Sequence, residues 1–105
     1  MTFERYYIQN IEGSSINQKM DYIQKKMSAK GHVLIETSTK CDGDETIEYE
    51  IDGIGIKFYV EKRDSNEFTG GNVRLIGKPE DIIKTRLQIE KETGFIFKEL
   101  ESDWD

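Results

Sequence analysis

The chain has little of what small catalytic or metal sites are built from. Its 105 residues include one cysteine, Cys41, and one histidine, His32, separated by eight residues. A zinc set needs several such ligands, and a Cys-His-Asn/Asp arrangement needs a thiolate, which the acids around Cys41 disfavour. Neither can be assembled. Cys41 has no partner for an internal disulfide and no Asn-x-Ser/Thr sequence is present, so nothing points to a secreted protein and a cytoplasmic setting is expected. The opening Met1-Thr2-Phe3-Glu4-Arg5-Tyr6 lacks the apolar core of a signal peptide, and no apolar run approaches the ~20 residues of a membrane span. Membrane contact is therefore not expected.

Phosphate and cation motifs are missing as well. Gly70-Gly71 lacks the Gly-Lys-Ser/Thr of a phosphate loop, and Gly53-Ile54-Gly55 lies inside a hairpin pattern instead of between strand and helix. Both read as turn or packing glycines. An EF-hand loop begun at Asp42 would need Gly where Ile47 stands and Glu where Gly53 stands. No metal, cofactor or catalytic residue is assigned, and an enzyme is not expected.

What is present suffices for one folded domain spanning residues 1–105, with an acidic tail at 101–105 free to fray. Hydrophobic residues make up 35% and charged residues 34%, enough for a single core under a highly charged surface. The net charge of -6 is unevenly spread. Glu36 to Asp52 holds seven acids against Lys40, and Glu99 to Asp105 holds four acids and no base, so the remainder of the chain is net positive. Such asymmetry favours a partner with a field of its own.

The chain is organised around Asp44 to Arg63. Ile47, Tyr49 and Ile51 alternate with Glu48, Glu50 and Asp52, and Ile54, Ile56, Phe58 and Val60 alternate with Gly55, Lys57, Tyr59 and Glu61. This period of two marks half-buried strands. Asp52-Gly53 between them favours a type I′ turn, which pairs Ile51 with Ile54, Tyr49 with Ile56, Ile47 with Phe58, and Glu48 with Lys57. Around the hairpin, strands are predicted over Phe3 to Asn10, His32 to Thr37, Val73 to Gly77 and Phe95 to Leu100. A first helix follows Gly13-Ser14-Ser15 with Ile16, Met20, Ile23 and Met27 as its apolar stripe, and its basic residues include Lys19, Lys26 and Lys30. A second starts at Pro79, carries Glu80 and Asp81 in its first turn, and is expected to bury Ile82, Ile83, Leu87 and Ile89 before Thr93-Gly94 ends it. The order β-α-β-β-β-β-α-β implies an α+β domain, a mainly antiparallel sheet with both helices on one face in a ferredoxin-like layout. Val73 to Ile82 looks like the strand-to-helix passage common in KH-type RNA-binding domains. The likeness covers ten residues without a Gly-x-x-Gly clamp, so no family follows from it.

The candidate contact residues are mainly the acids. Asp42, Asp44, Glu48, Glu50 and Asp52 occupy alternate positions broken at Thr46, so in a strand they project to one side about 6.6–6.8 Å apart, similar to successive nucleic-acid phosphates. Glu99, Glu101, Asp103 and Asp105 repeat the spacing, and Phe68 in the loop after Arg63 is a candidate anchor. If both rows line one surface, they imitate two phosphate tracks. The function expected is a small acidic non-enzymatic binding protein that engages a basic partner protein. Its sharpest form is a nucleic-acid-mimic inhibitor of a DNA- or RNA-acting protein, by analogy with small acidic inhibitors of phage or mobile-element type. Direct nucleic-acid contact is not expected on this reading. The alternatives are a nucleic-acid-binding module using the basic face of the first helix, and a small regulatory domain without mimicry.

Overall fold

Strand β1 (Thr2–Ile8) leads through a capped turn into helix α1 (Ile16–Ser28), and the meander β2 (Leu34–Thr39), β3 (Glu45–Ile51), β4 (Ile54–Val60) and β5 (Gly71–Gly77) follows; α2 (Pro79–Thr93) and β6 (Phe97–Glu99) complete the fold. This computed structural model describes residues 2–40, 43–60 and 71–99. The six strands form one sheet in the order β2-β3-β4-β5-β1-β6, antiparallel throughout. The class is the α+β arrangement expected, with two helices over one face of an antiparallel sheet.

The β3–β4 hairpin has the register that its alternation and Asp-Gly turn imply. Ile51 pairs with Ile54, Tyr49 with Ile56, Glu48 with Lys57 and Ile47 with Phe58. Asp52 and Gly53 take φ of 49° and 82°, the left-handed pair that a type I′ turn demands. Continued through β5 and β1, this register places Ile47, Phe58, Val73 and Tyr6 in one inward-facing row. Ile23 and Met27 from α1 and Ile82 and Ile89 from α2 pack onto that face in a single core.

Local chemistry fixes the helix ends. The Ser15 hydroxyl accepts from the Gln18 backbone N–H at 3.1 Å, while the Gln18 side chain accepts from the Ser14 N–H at 2.8 Å, a reciprocal cap on α1. At α2, Pro79 stands in the first turn with Glu80 and Asp81, and Gly94 closes the helix at φ 80°. The Thr93 hydroxyl donates to the Ile89 carbonyl at 2.6 Å and accepts from Phe95 N–H at 3.1 Å, so the chain turns out of the helix without losing those partners.

Two expectations change. The buried stripe of α2 is Ile82, Thr85, Ile89 and Thr93, spaced three, four and four, whereas Ile83 and Leu87 are 52% and 54% exposed. The helix lies on the sheet through a narrow face, and two buried threonines occupy positions that hydrophobicity alone assigned to leucine and isoleucine. Strand β2 begins at Leu34, later than expected, and every residue in it is exposed, as suits a strand at one edge of the sheet. Val33 and Ile35 are exposed as well, and the pairing with β3 is irregular between Leu34 and Glu36.

Candidate binding face

Both helices lie on one face of the sheet and neither lies on the other, the open face, although Thr46 and Asn72 are buried there. On that open face the registers align side chains across strands. One row runs Glu36, Glu48, Lys57, Arg74, Arg5 from β2 to β1. A second runs Ser38, Thr46, Tyr59, Asn72, Tyr7 and Lys98, and a third Glu50, Gly55, Ile76 and Phe3. The face is bipolar as a result. Its β2–β3 side carries Glu36, Glu48 and Glu50, and its β4-to-β6 side carries Lys57, Arg74, Arg5 and Lys98.

The expected contact residues separate in three directions. Glu48 and Glu50 stand on the open face, half-buried and exposed, and Asp52 projects from the hairpin turn. Asp44 is half-buried at the entry to β3, where its carbonyl accepts from the Lys40 N–H at 2.7 Å. Glu99 lies four strands away on β6 and pairs with Tyr6, so it points to the helix side, 3.9 Å from Arg86 Nη1. Glu99 thus does not share a surface with Glu48 and Glu50, and a double phosphate track is not formed by Glu48 and Glu99. Asp42, Phe68, Glu101 and Asp103 lie outside the described residues.

The sheet adds residues that sequence spacing did not single out. Glu36 sits directly opposite Glu48, a like-charge pair across antiparallel strands. The pairing follows from β2 being the neighbour of β3, which two short polar segments do not announce. On the other half, the Arg74 guanidinium lies between two rings, 5.2 Å from the centre of Phe3 and 5.4 Å from that of Tyr59. Lys40 and Lys57 also approach Tyr59, at 5.2 and 6.0 Å. Phe3 remains 58% exposed. The two Arg74 contacts join diagonal neighbours across strands, visible once the register is known, whereas Lys57 and Tyr59 are two apart on β4.

The helix side holds a compact polar cluster of its own. Arg86 stacks over the Tyr6 ring at 5.1 Å, and the Tyr6 hydroxyl donates to the Glu4 carboxylate. Burial, reinforced by Glu4, pushes the Tyr6 phenol up to about 12, so it stays a neutral donor. His32 Nε2 lies 2.7 Å from Glu92 Oε1 and Gln88 Nε2 lies 3.4 Å from Glu92 Oε2. Burial pushes the Glu92 carboxyl up, but hydrogen bonds from His32 and Gln88 and the charges of His32 and Lys30 outweigh it and hold the group below the usual carboxylate range. On α1, Lys19 and Lys26 are half-buried, with Lys26 folded 5.4 Å over Tyr22, so the helix offers less free positive charge than its composition suggests. No three His, Cys, Asp or Glu side chains among the described residues converge as a metal site requires, and no described helix is long and apolar enough to cross a membrane. Comparison of the chain with protein-family models, with curated proteins and with solved structures finds no match.

Proposed function

We propose that this is a non-enzymatic binding protein whose acidic edge, Glu36, Glu48, Glu50 and Asp52, engages a basic surface on a partner protein. One observation carries the reading. Glu36 and Glu48 face each other across β2 and β3, and like charges directly opposite destabilise a strand pair by a few tenths of a kcal/mol to about 1 kcal/mol. Lys57 on the next strand offsets the charge on Glu48, but Glu36 sits at the edge with Glu48 as its cross-strand neighbour. A fold seeking only stability would place an uncharged or basic residue there. A partner rich in Lys and Arg turns the same carboxylates into its contacts, speeds encounter, and makes association sensitive to salt.

Mimicry takes a narrower form than two parallel tracks. Glu48 and Glu50 are one strand repeat apart on one face, a short segment of phosphate-like spacing about 6.8 Å long. A basic groove on a DNA- or RNA-acting protein is the surface such a segment fits.

The test is capture from the native host's lysate with wild type and with a Glu36→Gln, Glu48→Gln, Glu50→Gln triple variant. The partner retained by wild type is then purified and its association kinetics measured at low and moderate salt. The triple variant is expected to associate at least roughly tenfold more slowly at low salt and to lose most of the salt dependence. Equal rates for the two proteins would end the proposal.

A further inference from the structure

The other half of the open face has a separate chemistry. Along β1, Phe3, Arg5 and Tyr7 alternate aromatic, cation, aromatic on the outward side, with a step of about 6.8 Å. Beside them Arg74 is sandwiched between Phe3 and Tyr59, and Lys57 and Lys98 flank the group. No carboxylate of the described residues in β4, β5, β1 or β6 points to this face, since Glu4 and Glu99 both turn to the helix side. Two features set this half of the face apart. Phe3 leaves 58% of its surface in water, beside Ile76 of β5 and beyond the stretch of β1 that pairs with β6. Arg74 has no carboxylate partner among the described residues, and its Nε is buried with no hydrogen-bond partner there.

We infer that this half of the sheet is a binding platform for single-stranded nucleic acid. Aromatic side chains on an open antiparallel sheet offer stacking surfaces to unpaired bases, and interleaved cations neutralise the phosphates between them. The alternation on β1 matches both requirements at a spacing close to one nucleotide of extended strand. Phe3 is the leading stacking ring, Arg5 and Lys57 are the phosphate contacts, and the Phe3–Arg74–Tyr59 stack holds the platform flat. The inference departs from the expectation, attached to the mimic reading, that nucleic acid is not contacted directly: the sheet register gathers the cations that the linear charge count averages away. It is also independent of the acidic edge, which lies on the opposite half of the same face. A protein built in this way could hold a strand and the basic protein that works on it at once.

The experiment is fluorescence anisotropy of labelled single-stranded DNA and RNA of about 12 nucleotides, with a matched duplex, at roughly 20 mM salt and above. Wild type should bind one or both single strands saturably and bind the duplex at least tenfold less tightly, because paired bases hide their faces. Phe3→Ala should weaken binding about tenfold, and Arg5→Gln should lower the salt slope by about 0.7, one phosphate contact on a single strand. Phe3→Tyr, which keeps the ring, should bind like wild type, and because Phe3 lies outside the core the alanine variant should retain the wild-type circular dichroism and melt cooperatively within a few degrees of wild type. The Glu36→Gln, Glu48→Gln, Glu50→Gln variant should bind the oligonucleotide as well as or better than wild type, which separates this result from the fate of the acidic-edge proposal. The inference is overturned by the lack of saturable binding to either strand, by equal binding of duplex, by Phe3→Ala and Arg5→Gln indistinguishable from wild type, or by loss of binding in a Lys19→Gln, Lys26→Gln variant instead.

Discussion

Gly71 shows how much one missing methyl group can decide. It stands at the first position of β5 opposite Val60, and a Cβ built on it would fall 2.1 Å from the Tyr59 carbonyl oxygen and 3.1 Å from the Tyr59 carbonyl carbon. Both are backbone atoms of the paired strand, so relief requires the strands to separate at the start of β5. Gly77, at the far end of β5, looks similar but is not: its Cβ would meet the Ile54 Cδ1 atom at 2.2 Å, the tip of a side chain that can rotate. Gly71→Ala should therefore destabilise by about 2–3 kcal/mol and lower the melting temperature by roughly 10 °C or more, whereas Gly77→Ala should cost about 1 kcal/mol or less. Urea denaturation of the two variants checks the difference. Equal losses would mean that strand β4 gives way as easily as an isoleucine tip. From sequence, Gly71 could be assigned a packing role but not a neighbour, because a close approach of backbones has no signature in residue type alone.

At the scale of elements, legibility follows how local the determining interaction is. The β3–β4 hairpin was readable in full because its turn lies within two residues and its apolar alternation spans both strands. The caps of α1 and α2 were readable for the same reason. The buried face of α2 was not: Ile82-Ile83 and Leu87-Gln88-Ile89 fit more than one stripe, and the choice of Thr85 and Thr93 over Ile83 and Leu87 is made by where β1, β4 and β5 lie beneath the helix. Likewise Glu36 and Glu48 become a pair only when β2 docks against β3. The His32–Glu92 contact is a tertiary tie of this kind, joining the segment after α1 to the last turn of α2 across sixty residues. Its pH dependence has a definite sign. Glu92 titrates lower in the folded protein than its ordinary value of 4.5, so the folded state releases this proton more readily than the unfolded chain. The stabilisation is fully present above about pH 4.5 and is lost as the pH falls through the lower folded value. Wild type should thus exceed Glu92→Gln in stability at neutral pH by a margin that shrinks on acidification below pH 4.5. A margin constant from pH 7 to pH 2 would show that the carboxylate charge contributes nothing.

For the whole molecule, the central fact is that one face of the sheet builds the core and the other carries two charge fields. The inner face is continuous and apolar from β3 to β6, which leaves the outer face free of any duty to the core. Sequence revealed Glu48 and Glu50 of that face, since they alternate in a single strand, but not Glu36 or the cations, which are dispersed over β2, β4, β5, β1 and β6 and meet only through pairing. If the acidic edge is present for binding, it works against the fold, and the two properties should move in opposite directions. Glu36→Gln is the cleanest probe: it removes the repulsion with Glu48, leaves Glu48 opposite Lys57, and touches neither core nor turn. It should raise stability by a few tenths of a kcal/mol to about 1 kcal/mol, an increase that diminishes with added salt. The same substitution should slow association with the basic partner. Adding Lys57→Gln should reverse the stability gain, because Glu48 then lacks its favourable neighbour, without restoring the association rate. Thermal melts at low and high salt, beside the kinetics, read both quantities on the same samples. A variant that loses stability and binding together would instead place Glu36 among the residues that hold β2 to the sheet.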